Sequence, residues 1–115
     1  MVLSVPALAS LSADPARPAG TALVTAAGVA ASGTGVLDAK AWGTEIELDV
    51  AGLPPAPAYV AFALARDGRG EVAASWGSTP QGRVVVTGAT AITRGDLAAV
   101  QIRTADGRAL LTLPG

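Results

Sequence analysis

The feature that most constrains this chain is a run of strict alternation near its centre. Three apolar residues alternate there with three acidic ones: Ile46, Leu48 and Val50 with Glu45, Glu47 and Asp49. A period of two predicts a β-strand that buries one face and exposes the other to water. Trp42-Gly43 precedes the run and Gly52-Leu53-Pro54-Pro55 follows it. Because proline cannot donate to a hydrogen-bonded ladder, we predict a strand over residues 42–51.

Other short strands are predicted along the rest of the chain. They cover residues 21–31 (anchored by Leu23 and Val29), 36–41, 58–66, 71–76, 83–87, 98–104 and 109–113. Residues 88–93 either continue a strand or turn, and residues 93–97 are predicted to form one helical turn. We predict further turns at residues 32–35 and at the two Asp-Gly dipeptides, Asp67-Gly68 and Asp106-Gly107, since Asp-Gly supplies the positive φ that tight hairpins need.

About eight short strands at roughly ten-residue spacing, with no amphipathic helix between them, are typical of an all-β fold. We predict an antiparallel β-sandwich, with a small closed β-barrel as the alternative. The length of 115 residues indicates one domain. Residues 1–20 are rich in proline, alanine and serine, and we interpret them as a flexible linker or stalk. The single β-sandwich domain is then expected over residues 21–115.

Most apolar residues of the chain are alanine and valine, so large core residues are few. We expect the core to draw on leucine and isoleucine together with Phe62, Trp42 and Trp76. Along residues 58–66, Val60, Phe62 and Leu64 share one face, and Tyr59 shares the other with three alanines, which favours a central strand covered on both sides. On the strand that follows, Val72, Ala74 and Trp76 are predicted to point inward.

Composition excludes several classes of function. There is no histidine or cysteine, which removes imidazole bases, thiolates and nearly all zinc sites. A net charge of −1 with scattered basic residues argues against a nucleic-acid partner. No apolar run reaches the roughly 18–20 residues of a membrane span, and no basic amphipathic helix is present, so we expect no membrane insertion by this sequence.

Two loose motifs do not support catalysis. Residues 73–77 match a relaxed nucleophile elbow, but the chain has no histidine base. Residues 68–73 match a relaxed dinucleotide fingerprint, which must open a helix, whereas a β-branched strand follows here. We therefore predict that the chain is not an enzyme, with no catalytic residue, no cofactor and no metal site.

The acidic row and the aromatic residues are the remaining candidates for a site. We interpret Glu45, Glu47 and Asp49 as a solvated strand face, with calcium binding or acid–base chemistry as alternatives. The cross-strand partners that we predict for this row are Arg66, Arg83 and Arg103. Core packing is the preferred interpretation of Trp42 and Trp76 over a ligand or partner platform, and for Tyr59 both interpretations stay open.

Three stretches of the sequence occur together in a recognisable order. They are Trp42-Gly43-Thr44 through Gly52-Leu53-Pro54-Pro55, Asp67-Gly68-Arg69 followed by Ala73-Ala74-Ser75-Trp76, and Val86-Thr87-Gly88-Ala89-Thr90 followed by Ala105-Asp106-Gly107-Arg108-Ala109-Leu110-Leu111. Their order and spacing resemble the C-terminal, extracytoplasmic domain of actinobacterial anti-sigma factors of the anti-sigma-K (RskA-like) type. The resemblance covers about residues 41–113.

The resemblance implies a role in transcription regulation. In that family a cytoplasmic segment holds a sigma factor, one transmembrane helix follows, and regulated proteolysis outside the membrane releases the sigma factor. The chain would be the outer domain of such a single-pass membrane protein, on the extracytoplasmic side. The sigma-binding segment is missing here, and a site-specific protease would act on the stalk. The residues that the resemblance marks as candidates for interaction are Trp42, Gly43, Leu53, Pro54, Tyr59 and Trp76.

A second interpretation requires no membrane anchor. The chain is then a secreted or cell-surface β-sandwich module for binding or adhesion, with the aromatic trio or the acidic row as its site. The two interpretations differ in what precedes this domain: a span of about 20 apolar residues with a cytoplasmic domain, or a cleavable signal and other exported modules.

Overall fold

Two antiparallel sheets pack face to face in the computed structural model, which describes residues 20–115. The described strands are β1 (Thr21–Ala22), β2 (Val24–Thr25), β3 (Ser32–Lys40), β4 (Gly43–Ala51), β5 (Ala58–Ala65), β6 (Gly70–Gly77), β7 (Val84–Thr90), β8 (Leu97–Thr104) and β9 (Ala109–Pro114). One sheet has the order β2-β9-β8-β5-β6 and the other β1-β3-β4-β7. The sheets do not close into a barrel, so the β-sandwich prediction is confirmed.

The core lies between the inner faces of the two sheets. From β4 it receives Ile46, Leu48 and Val50, as the alternation predicted. From the facing sheet it receives the inward residues of β5, β8 and β9: Tyr59, Ala61, Ala63, Val100, Ile102, Leu111 and Leu113. The short 3₁₀ turn Arg94–Asp96 confirms the predicted helical turn before β8.

The start of the domain differs from the prediction of one strand over residues 21–31. Strand β1 pairs with β3 in one sheet, and β2 pairs with β9 in the other. Leu23 lies buried between them, and its N–H donates to the carbonyl of Gly33 at 3.0 Å. Because the chain crosses from one sheet to the other here, it closes this side of the sandwich and sustains no long strand.

The predicted turn at residues 32–35 is also wrong, since these residues begin β3. The glycines in this strand allow a neighbouring layer to lie close to its backbone. A Cβ on Gly35 would lie 2.6 Å from the Cδ2 atom of Leu113, a core residue of the opposite sheet. Glycine is common both in turns and in strands that lie close to a neighbouring layer, so the composition of residues 32–35 did not distinguish the two.

The faces of β5 and β6 correct the core prediction. Phe62 is half-buried on the outer face, opposite Val72, which is 56% exposed. Phe62 points outward because it alternates with the buried Ala61 and Ala63 on β5. β6 has a β-bulge at Ala73, since Ala61 pairs with Ala74 while Phe62 pairs with Val72. The extra residue reverses the alternation, so Ala74 faces inward and Val72 outward.

Apart from Gly20, the linker predicted over residues 1–20 lies outside the described residues. Within residues 20–115, no helix has the length and apolar character needed to cross a membrane.

Candidate functional site

Tyr59 lies under the loop of residues 52–57, which joins β4 to β5 and which we call the proline loop. It is the second residue of β5, on the face that points into the sandwich, and its side chain is buried. Its hydroxyl donates a hydrogen bond to the carbonyl of Pro54. The bond fixes the loop over the ring and satisfies the one polar atom of this buried side chain.

Trp76 stacks against Tyr59 from the neighbouring strand. The two residues are register partners in the β5–β6 pair. Their ring centroids are 6.0 Å apart with an interplanar angle of 26°, an offset arrangement that aromatic pairs favour. Trp76 is half-buried, so the prediction that it belongs to the core holds only in part.

A second loop, residues 78–82, runs beside the proline loop. It contains the short 3₁₀ turn Pro80–Gly82, in which Gln81 has φ 58° and ψ 19°. Gly82 also has positive φ, and a Cβ there would overlap the backbone nitrogen of Leu53. Two backbone hydrogen bonds join the loops: Gly52 N–H to the Gln81 carbonyl at 3.2 Å and Leu53 N–H to the Gly82 carbonyl at 3.4 Å.

Between these two loops lies a groove with a volume of about 370 Å³, which we call the proline-loop groove. Its walls include Leu53, Pro54, Thr79 and Gln81, and Tyr59 also lines it. No charged side chain lines it among the described residues. Two polar atoms in this region, Nε1 of Trp76 and the hydroxyl oxygen of Thr79, are buried and have no hydrogen-bond partner.

The structure brings together four of the six candidate residues from the sequence. Leu53, Pro54 and Tyr59 line the groove, with Trp76 stacked on Tyr59. The other two, Trp42 and Gly43, lie at the opposite end of β4.

Trp42 is 54% exposed in the β3–β4 turn, so the prediction that it packs in the core is wrong. A turn residue at the end of the sandwich has no facing sheet to pack against. Gly43 has φ 145°, and a Cβ there would overlap the carbonyl oxygen of Thr90. Glycine at position 43 therefore lets the end of β7 lie against the backbone, where a side chain would not fit.

The acidic row faces outward, as predicted. Lys40 lies 3.2 Å from Asp38 and 3.7 Å from Glu45, and Arg83 lies 3.8 Å from Asp49. The hydrogen bond to Asp38, and then its negative charge, raise the pKa of Lys40. Within residues 20–115, no group of three or more acidic, histidine or cysteine side chains is placed to hold a metal ion.

Two of the three arginines predicted to pair with this row lie elsewhere. Arg66 Nε donates to the carbonyl of Gly95 at 3.1 Å. Arg103 Nε donates to Gln101 at 2.8 Å, and its guanidinium carbon lies 4.4 Å from the Phe62 ring centroid. Both residues belong to the five-stranded side of the sandwich, which the sequence pattern did not distinguish from the four-stranded side.

Glu71 forms a contact between the sheets that the sequence did not predict. Its carboxylate accepts hydrogen bonds from the Thr90 hydroxyl at 2.5 Å and from the Ala91 N–H at 2.7 Å. The Thr90 hydroxyl, and then the Ala91 N–H, hold the pKa of Glu71 below its ordinary value. The contact connects β6 of one sheet with the end of β7 of the other.

Both Asp-Gly dipeptides form the predicted turns. Gly68 and Gly107 have φ values of 95° and 100°. The N–H of Arg69 lowers the pKa of Asp67, and the Thr104 hydroxyl lowers that of Asp106. These carboxylates cap their own turns, so their chemistry is structural.

The groove residues that sequence reasoning missed lie in the 78–82 loop. Thr79 and Gln81 carry no motif of their own. The pattern Pro80-Gln81-Gly82 is a turn signal, and it was the one indication that this loop has a defined shape.

Comparisons of this chain with models of protein families, with curated proteins and with solved structures gave no match.

Proposed function

We propose that this chain is the extracytoplasmic regulatory domain of a membrane-anchored anti-sigma factor of the anti-sigma-K type. The domain controls release of the sigma factor through regulated proteolysis, and the sigma-binding segment lies outside this sequence. The role requires a folded module whose stability can be altered, and a β-sandwich with two packed sheets supports it.

The proposal is supported by the positions, in the fold, of the residues that carry the resemblance to the anti-sigma-K type. Gly43 and Gly88 stand where strands or sheets approach closely. Pro54 holds Tyr59, and the two Asp-Gly turns are capped by their own side chains. Because the resemblance concentrates at structural contacts, it supports a shared fold, and the role we infer is that of the folded domain itself.

The structure suggests how folding could couple to cleavage. The stalk proposed for residues 1–20 is followed directly by β1, which pairs with β3 through two residues. Short terminal strands open at lower free energy than central strands do. A signal that loosens β1 would lengthen the accessible stalk, and a signal that stabilises the sandwich would shorten it.

Immunoprecipitation tests the proposal directly. An antibody against this chain is applied to detergent-solubilised source cells, and the captured proteins are identified by mass spectrometry. We expect a protein larger than this chain, together with a sigma factor. Purified residues 1–115, used as bait in the same extract, serve as the control and should capture no sigma factor. Absence of any sigma factor from the cellular precipitate would contradict the proposal.

A second candidate function is supported by the exposed apolar surface. Trp42 at one end, and Val72 beside the half-buried Phe62 on the outer face of the five-stranded sheet, would suit a binding or adhesion module. This function predicts a secreted or surface-attached protein that associates with no sigma factor, so the same precipitation experiment distinguishes the two candidates.

A further inference from the structure

We propose that residues 15–19 of this chain dock across the outer face of the four-stranded sheet, where Arg17 pairs with Glu47 and Asp49. The occupant is the end of the predicted stalk, which lies outside the described residues. The inference does not rest on the regulatory role, because it concerns a contact within the purified chain. If both proposals hold, the domain covers part of the stalk on which the protease acts.

A groove with a volume of about 250 Å³ crosses this face from β3 to β7, and we call it the acidic groove. The side chains that line it from the outer face are those of Thr34, Val36, Glu47, Asp49 and Val85. They share one face because Thr34 and Val85 are register partners of Asp49, and Val36 is the partner of Glu47. Among the described residues that line the groove none is basic, so its two carboxylates favour a cationic occupant.

The described chain begins at this groove. Gly20 lines it, directly before β1. Thr21 pairs with Gly35 and Ala22 with Thr34, so a straight continuation of β1 would set Gly20 beside Val36. A Cβ on Gly20 would instead lie 3.0 Å from the Cβ of Thr34. The chain therefore bends away from the line of β1 at Gly20 and lies over the outer face.

The stalk is long enough to cross the groove. Arg17 precedes Pro18, and a residue before proline favours an extended conformation. In the polyproline II conformation each residue adds about 3.1 Å, which sets Arg17 about 9 Å from Gly20. Neighbouring strands are about 4.8 Å apart, so β4 is within reach of Arg17, and residues 15–19 span the distance from β3 to β7.

Charge complementarity selects this part of the stalk. Arg17 is the one basic residue of residues 1–20, and Asp14 is the one acidic residue. Lys40 lies 3.7 Å from Glu45 at one end of the acidic row, and Arg83 lies 3.8 Å from Asp49 at the other. A guanidinium between them can bind more than one carboxylate through its planar set of donors. Repulsion of Asp14 by the row places the start of the docked segment after it.

The composition of residues 15–19 suits a segment that crosses strands without pairing with them. Pro15 and Pro18 have no N–H, so fewer backbone donors lose water without gaining a partner. The two alanines of the segment add little bulk above the floor of the groove. Val36 and the 71% exposed Val85 offer apolar surface to the pyrrolidine rings.

Nuclear magnetic resonance relaxation tests whether the segment is docked. We expect the heteronuclear Overhauser effects of the amides at Ala16, Arg17 and Ala19, in purified ¹⁵N-labelled residues 1–115, to equal those of β3 and β4. Such values report order on the picosecond to nanosecond timescale. Values far below those of the two strands would overturn the proposal. Groove signals that move with protein concentration would indicate the stalk of a second copy and would also overturn it.

Charge variants test where the segment docks. Arg17→Gln should lower the ratio of docked to undocked stalk by up to about five-fold and shift the amide signals of Glu47, Asp49 and Val85. Added salt should act in the same direction, because it screens the pair. Arg108→Gln is the control, since it removes an exposed arginine from the β8–β9 turn and should leave the stalk and groove signals unchanged.

A charge exchange separates the ion pair from other effects of substitution. Arg17→Glu alone and Glu47→Arg alone should each release the stalk, and the double variant should recover at least part of its order. Both positions are away from the core, and the signals of the buried strands verify that each variant is folded. Unchanged stalk order in the single variants, or no recovery in the double variant, would contradict the pairing of Arg17 with the acidic groove.

Discussion

At the scale of single residues, Gly88 sets a close contact between the two sheets. It lies on β7, and a Cβ there would be 2.8 Å from the Ala73 carbonyl oxygen on β6. We expect Gly88→Ala to lower the free energy of unfolding by about 1–3 kcal/mol, since neither backbone can yield without separating the sheets. Gly95→Ala is the control, because the methyl group that it adds would meet no atom within 4 Å. Equal urea midpoints for the two variants would contradict this account.

Glu71 gives a second prediction at this scale, and it concerns pH. The pKa of Glu71 is lowered in the folded state, chiefly by the Thr90 hydroxyl. The unfolded chain therefore binds the proton more readily, so the contribution of Glu71 to stability is present above its ordinary pKa and is lost as pH falls through the lowered value. Stability should decline less on acidification in Glu71→Gln than in the wild type.

The control for this experiment is Thr90→Ser, which keeps the hydroxyl donor. Its unfolding free energy, measured by urea denaturation between neutral pH and about pH 3, should follow the wild-type slope. Parallel curves for Glu71→Gln and the wild type would show that this carboxylate does not connect the sheets in solution.

At the scale of elements, β7 is an edge strand with an exposed apolar surface. Val85 is 71% exposed, and Val84–Thr90 contains no charged residue. Such an edge favours pairing with another chain, and a charge on it opposes that pairing. We expect Val85→Lys to reduce self-association at high concentration, with a stability change within about 0.5 kcal/mol. Val85→Ile should associate like the wild type in light scattering, and equal association by Val85→Lys would contradict the prediction.

The elements also show what could be predicted from sequence. Alternation identified β4 and its buried face, because a strict period-two pattern is typical of a strand with one buried side. It failed at β6, where the bulge at Ala73 reversed the faces, and at β3, where Gly33 and Gly35 look like a turn. Both failures depend on contacts with another strand or sheet, which a single sequence does not contain.

The candidate site was predictable to a similar degree. Leu53, Pro54, Tyr59 and Trp76 were identified from the sequence, and the structure brings them together at one end of the sandwich. Thr79 and Gln81 were missed because their role comes from loop geometry. The resemblance placed Trp42 in the same set, although β4 separates it from the proline-loop groove.

At the scale of the whole molecule, the proposed regulation depends on opening from the N-terminal side. Leu23 is buried where the chain crosses between the sheets, and the adjacent Val24 is exposed. Leu23→Ala should lower the free energy of opening of β1 and β2 by about 2 kcal/mol, which makes amide exchange there about thirty-fold faster. Val24→Ala should exchange like the wild type. Similar exchange for both variants would show that Leu23 does not hold this segment closed.

The central claim is that this domain lies outside the membrane as part of a membrane-anchored anti-sigma factor. The most direct measurement is an immunoblot of fractionated source cells with antibody against this chain, before and after protease is added to intact cells or spheroplasts. The account predicts a band well above the mass of this chain in the membrane fraction, whose outer part the protease removes. A soluble or secreted band near the 11.2 kDa of this chain would contradict it and favour a free binding module.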